Sequence, residues 1–324
     1  MPDGARRAAT VAVSVLDLSP VPAAGTPAEA LRATVDLAVL ADRLGYHRYW
    51  TAENHGKHGV AAGAPAVIAA ALAGRTGRLR VGAGGVLLPH HAPLVVAEQF
   101  GTLEALYPGR IDLGLGRAAG ASPRIAAHLR SDHDRPFAEQ VQEVLGWFGD
   151  TSPAVPAAGN RPEIWLLGSS ATSAGIAAEL GLPYATRVAN DLDAAGTALA
   201  AAPGVPTLLE VPVLAAPTDA EADRVAAPVR ARTLWRSRGE RRTRLPDRET
   251  ALAALADPAE RAQAQRLTAR HVVGGPETVR TRLQELIDRT GVGELMVSGL
   301  FGDRGDRCRS HEIVADVARE LRAR

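Results

Sequence analysis

The sequence holds nine histidines in 324 residues, and four of them, His55, His58, His90 and His91, fall in two short segments. The first runs Trp50-Thr-Ala-Glu53-Asn54-His55-Gly-Lys57-His58-Gly59, and the second Pro89-His90-His91-Ala-Pro93. Imidazole titrates near neutrality, so histidines beside Glu53 suit general acid–base work. The same side chains can equally hydrogen-bond loop backbone. A metal centre would call for a His-x-His strand-end pair or a His-Glu-x-x-His helix, and these segments have neither, so none is expected.

Two further signals concern anions. Gly168-Ser169-Ser170-Ala171-Thr172-Ser173 is a hydroxyl-rich turn between the apolar run Ile164 to Leu167 and a helical segment, Ser173 to Leu180, closed by Gly181. Free N–H groups and the helix dipole make such a turn a phosphate seat, and Gly168 lets a ligand approach the backbone. An ordinary N-cap would show the same residues. Arg117 follows Gly114-Leu-Gly116. Its guanidinium can bind a phosphate bidentately, or form a structural salt bridge. Gly114-x-Gly116-x-x-x-Gly120 is one residue too long for a dinucleotide fingerprint, and residues 121–136 make a poor opening helix. Gly84-Gly85, at the end of an apolar strand, implies a bulge, unusual backbone or close approach of a flat ring, with helix–strand crowding as the plain alternative.

The elements that must hold these residues alternate. Strands are expected to start at Thr10, Tyr46, Leu79, Ile111, Ile164, Pro183, Thr207 and Glu294, with helices between them. Eight such units close a (β/α)8 TIM barrel in an α/β fold, a doubly wound open sheet being the competitor. In a barrel, loops that follow strands lie on the catalytic face. Residues 118–136 and a helical insertion of about 216–270, before the last strand, would then wall the pocket. The whole chain, 1–324, reads as a single domain.

Apolar residues make up 46%, ample for a core, and the net charge of +1 lacks the basic excess that nucleic acid or a membrane surface would call for. Lys57 is the only lysine, which is ascribed to coding bias. The single cysteine, Cys308, excludes an internal disulfide. With no signal-peptide core and no membrane-length apolar run, a cytoplasmic location is expected.

Taken in order, these pieces resemble the luciferase-like monooxygenase superfamily from about Val11 to Leu321. The residues that carry the resemblance are Gly45-Tyr-His-Arg-Tyr-Trp-Thr-Ala-Glu53-Asn-His55, Leu87-Leu-Pro-His-His-Ala-Pro-Leu-Val-Val-Ala-Glu98-Gln99, Pro108-Gly-Arg-Ile-Asp-Leu-Gly-Leu-Gly-Arg117, the Gly168 to Ser173 turn and Val273-Gly-Gly-Pro-Glu-Thr-Val279. The similarity is strongest to a subgroup that includes antibiotic-tailoring oxygenases. It implies a two-component enzyme in which a separate flavin reductase supplies reduced FMN, and oxygen is used on a small organic substrate. It also implies that Arg117, Gly168, Ser169, Ser170 and Ser173 hold the flavin phosphate, that Gly84-Gly85 is a non-prolyl cis peptide under the flavin ring, and that the protein is a homodimer.

One departure bears on catalysis. The family commonly has Glu-His-His where this chain has Glu53-Asn54-His55. Asn54 can orient a ligand but cannot carry a proton. That leaves proton transfer to His55, to His90 or His91, or alters the chemistry. Hydride transfer with the deazaflavin F420, and a non-catalytic flavin-binding barrel, are the alternatives. Arg187-Val-Ala-Asn190 also differs from what the resemblance leads one to expect after the sixth strand.

Overall fold

The structure is a computed structural model that describes residues 10–129, 131–188, 192–240 and 244–323. The chain alternates as the patterning predicts: β1 (Ala12–Asp17), α1 (Pro27–Leu44), β2 (Arg48–Thr51), α2 (Pro65–Ala73), β3 (Arg80–Leu87), α3 (Pro93–Leu106) and β4 (Ile111–Gly116). After a short α4 (Pro123–Ala126) come α5 (Phe137–Trp147), β5 (Glu163–Leu167), α6 (Ala171–Glu179), β6 (Tyr184–Arg187), α7 (Leu192–Ala200) and β7 (Thr207–Ala215). The chain then forms α8 (Asp219–Ser237), α9 (Arg248–Ala254), α10 (Pro258–Leu267), β8 (Val272–Gly274), α11 (Pro276–Thr290), β9 (Glu294–Ser298) and α12 (Arg304–Ala318). Helix boundaries follow local chemistry. In α1 the Thr26 side chain and Glu29 form a reciprocal capping box, and Gly45 ends the helix in the left-handed region.

Eight strands close the barrel in the order β1-β2-β3-β4-β5-β6-β7-β9, all parallel, with β9 returning to β1. The expected (β/α)8 TIM barrel is therefore present. β8 is an addition that patterning missed, because three residues are too few to show a period. Among the described residues it pairs only with the outer end of β7, Val213 to Ala215. The insertion before the last barrel strand consists of α8, α9 and α10, as expected for residues 216–270, followed by β8.

The N-terminal end of the barrel is sealed by charge. Asp112 accepts from Arg48 Nη1 and Trp50 Nε1, each at 2.8 Å, and from Arg80 Nη2 at 2.6 Å, while Arg48 Nε donates to Glu294 Oε1 at 2.7 Å. Both carboxylate oxygens of the fully buried Asp112 have donors, as burial of charge requires. Above it, Trp50, Trp165, Leu208 and Met296 fill the barrel interior. The lower half is thus a packed core, and only the C-terminal mouth is open.

Candidate active site

Ends of all eight barrel strands surround a cavity of about 660 Å³. Its floor includes Trp50, Gly84 and Gly85. The peptide bond between the two glycines is cis, as the resemblance implies. The β3–β4 register shifts between Ala83 and Val86, so the pair sits in a bulge. A Cβ on Gly84 would stand 2.8 Å from Trp50 Cε3, and one on Gly85 2.6 Å from the Gly114 carbonyl oxygen. Crowding inside the barrel therefore forbids side chains there, and the same bareness leaves a flat backbone surface facing the cavity.

Arg117, Gly168, Ser169, Ser170, Thr172 and Ser173 all line one cavity. Ser170 is the N-cap of α6: its Oγ accepts from Ser173 N at 3.3 Å, and Ser173 Oγ donates to Ser170 O at 2.8 Å and lies 3.1 Å from the Tyr184 hydroxyl. Both expected serine donors are thus also cap residues. Arg117 is exposed and has no ion pair or hydrogen bond among the described residues. The salt-bridge alternative for it is not realised. A free guanidinium beside a helix N-terminus is an anion site by charge and by geometry.

Of the expected catalytic residues, Glu53 and Asn54 line the cavity, whereas His55 and His90 do not. Glu53 is a hub: Oε1 accepts from His55 Nε2 at 2.6 Å and His91 Nε2 at 2.8 Å, and Oε2 from Leu87 N at 2.8 Å. Burial acts to raise its pKa, but the bonds from His91 and Leu87, the His91 charge and the His55 bond outweigh it, and the pKa is lowered. Glu53, His55 and His91 place ligand atoms within 4.8 Å of one another, close enough for a cation, yet they already satisfy each other through hydrogen bonds. His90 joins two loops, with Nδ1 2.5 Å from Ser131 Oγ and Nε2 2.7 Å from the Ala119 carbonyl.

Against this geometry, residues 11–294 match the model of the luciferase-like monooxygenase family. The chain belongs to that family, and it is an oxidoreductase. A luciferase-like monooxygenase of Escherichia coli K12 is 39% identical over 96% of this chain and 98% of that protein. The crystal structure of apo-MsnO8 superposes with a TM-score of 0.86 at 39% identity, covering 97% of this chain and 99% of that one. The oxygenating constituent of 3,6-diketocamphane monooxygenase from Pseudomonas putida, solved with FMN, has a TM-score of 0.76 at 21% identity over 98% and 100% of the two chains. At that identity the likeness is one of fold.

The luciferase-like barrel carries cavity residues that the sequence analysis passed over. Glu210 lies on β7 with Arg187 of β6 as its Cα partner, and its carboxylate accepts from Ser298 Oγ. Desolvation raises its pKa, offset in part by that bond and by the charges of Arg187 and Arg270. A lone acid within the apolar run Thr207 to Ala215 was the available signal. Lys57 donates to Asn54 Oδ1 at 2.7 Å. Arg270 and His271 line the wall just past the insertion, where no motif marks them. Burial and the charges of Arg270, Arg230 and Arg232 lower the His271 pKa to about 4. In the stretch that departs from the family, Arg187 and Val188 line the cavity, while residues 189 and 190 lie outside the described residues.

Proposed function

We propose that the chain is the oxygenase half of a two-component FMN-dependent monooxygenase acting on a small organic substrate, with a separate reductase supplying reduced FMN. The observation that carries this reading is the unpaired Arg117 guanidinium beside the N-terminus of α6, in the same cavity as the bare Gly84–Gly85 surface. FMN in the Pseudomonas putida barrel of the same fold supports the choice of flavin.

In this reading Arg117, the Thr172 hydroxyl and the first N–H groups of α6 bind the phosphate. Gly168 and Ser169 bring backbone close to it, and the Ser170–Ser173 cap holds the turn in shape. Gly84 and Gly85 let the flavin ring lie against backbone. The bound flavin would supply the activation of oxygen, which no protein side chain here provides. Leu16, Leu167, Leu208 and Met296 keep water from the inner cavity. Lys57 occupies the Asn54 carbonyl oxygen, so the Asn54 NH2 group is the one available to a ligand. His55 and His91 act on the site through Glu53, which fixes the loops after β2 and β3, and His90 braces the loop after β4.

Parallel titrations with FMN and F420 test the cofactor, followed by oxygen uptake with enzymatically reduced FMN. Tight FMN binding with oxygen uptake is expected. Preference for F420 would replace the proposal with hydride transfer, and flavin binding with no turnover on any substrate would favour a non-catalytic barrel. We also propose a cytoplasmic homodimer. Val67 on α2 and Leu106 on α3 are 71% and 64% exposed on neighbouring helices, an apolar surface that a second copy would cover. Sedimentation equilibrium checks it.

A further inference from the structure

One acid of the cavity has no part in the flavin reading. Glu210 lies on β7, two residues nearer the mouth than Leu208, so both side chains point into the barrel. It lines the cavity and is half-buried, with Arg187 on β6 and Met296 on β9 as its Cα partners. Its one hydrogen bond among the described residues comes from Ser298 Oγ to Oε1. That leaves Oε2 as the oxygen available to a ligand. Leu208 and Met296 lie in the packed core beneath it, and Pro212 and Leu214 line the cavity beyond it.

Strand order sets what Glu210 faces. In the closed order β1-β2-β3-β4-β5-β6-β7-β9, β7 stands four places from β3 in either direction. The Glu210 carboxyl and the bare Gly84–Gly85 surface are therefore on opposite walls of one cavity. Burial raises the Glu210 pKa, against the Ser298 bond and the charges of Arg187 and Arg270. In the neutral form Oε1 accepts from Ser298, and Oε2 carries a proton that can be donated into the cavity. Such a donor matches an acceptor oxygen. An ammonium would be repelled by the two arginines, and an anion would compete with Glu210 for them.

We propose that Glu210 binds the substrate, donating a hydrogen bond from Oε2 to an uncharged oxygen of an aliphatic molecule, a carbonyl in the simplest case. This deepens the flavin reading and rests on it: with the ring against Gly84 and Gly85, the space before Glu210 is the substrate's. The hydrocarbon lies along Pro212 and Leu214, and Ser298 fixes the carboxyl so that Oε2 meets the ligand. Glu210 thereby selects for an oxygen at one place on an otherwise apolar molecule.

The test compares cyclohexanone with methylenecyclohexane, which carries a CH2 group where the ketone carries oxygen. Both are titrated by calorimetry in mildly acidic buffer on flavin-free and FMN-loaded protein. The ratio of the two affinities, ketone over alkene, is expected to fall about tenfold in Glu210→Met, which keeps the length and loses the donor. Glu210→Gln, whose amide can accept from Ser298 and donate to the ketone, is expected to keep the wild-type ratio and the wild-type affinity for FMN. A ratio unchanged in Glu210→Met, a ratio that falls as far in Glu210→Gln, binding of neither probe to the wild type, or loss of FMN binding in Glu210→Gln would each overturn the proposal. FMN titrated on the same samples keeps the two readings apart. Absence of FMN binding by the wild type would sink the flavin assignment, while the ratio in flavin-free protein still decides whether Glu210 receives the oxygen.

Discussion

Gly116 and Leu167 are Cα partners on the last rung that joins β4 to β5. The residues that follow them, Arg117 and Gly168, therefore leave the barrel side by side at its C-terminal mouth. A guanidinium and a helix N-terminus meet there because of strand register, not because of any contiguous motif. That is why an anion site arises from residues more than fifty positions apart in the chain.

The turn itself depends on the absence of a side chain. A Cβ on Gly168 would lie 2.1 Å from Ser173 Oγ and 2.5 Å from Ser173 Cβ. Gly168→Ala should push Ser173 out of its cap, lower stability by about 1 kcal/mol and weaken FMN binding. Gly175→Ala, on the same helix with no atom within 4 Å of the added Cβ, should instead raise stability by about 0.5–1 kcal/mol. Urea denaturation of the two variants checks this. A Gly168→Ala protein as stable and as tight for FMN as the wild type would contradict the role given to the cap.

Glu53 holds three donors on one fully buried carboxylate. Glu53→Gln puts an NH2 group where one oxygen accepted, leaving a donor facing a donor, and should cost about 1–3 kcal/mol. The group also contributes to acid sensitivity. Its folded pKa is lowered, so its stabilisation is present above the ordinary value of 4.5 and is lost as pH falls through the folded one. Below pH 4.5 the wild type should thus lose stability more steeply than Glu53→Gln. Parallel acid limbs in the two proteins would remove Glu53 from that account.

Much of this was legible in the sequence, for physical reasons that differ from element to element. Most barrel strands showed because they are largely buried and carry short apolar runs such as Ile164 to Leu167, and α1 showed because Thr26, Pro27, Glu29 and Gly45 mark its ends. Arg117 and the Gly168 to Ser173 turn could be picked out because strand ends of a barrel face its mouth. Placement of the histidines was not legible. Whether His55 points into the cavity or back onto Glu53 depends on loop conformation, and alternation says nothing of loops. Arg270 and His271 were hidden for a related reason: β8, which carries the chain past them, is three residues long and exists only by pairing with β7.

His311 supplies a second pH effect, far from the mouth. It is 5% exposed, and burial, then the Arg307 charge, lower its pKa from 6.5 to about 3, with Asp17 opposing. The folded protein keeps the imidazole neutral while the unfolded chain takes up a proton below pH 6.5. Stability should therefore be level in this contribution above pH 6.5 and decline toward about 3, by on the order of 5 kcal/mol in total. In His311→Gln the decline over that window should be shallower. Denaturant midpoints measured across the window decide it, and an unchanged slope would show that His311 titrates normally in the folded protein.

The central claim is that Arg117 binds the phosphate of FMN, and an equilibrium titration of FMN tests it most directly. Arg117→Ala is expected to bind about 10- to 100-fold more weakly, the worth of a charge-assisted bidentate contact. Arg282→Ala, which removes an arginine 58% exposed on α11, is expected to match the wild type. An Arg117→Ala protein that also matches the wild type would contradict the phosphate assignment, and with it the placement of the flavin in this barrel.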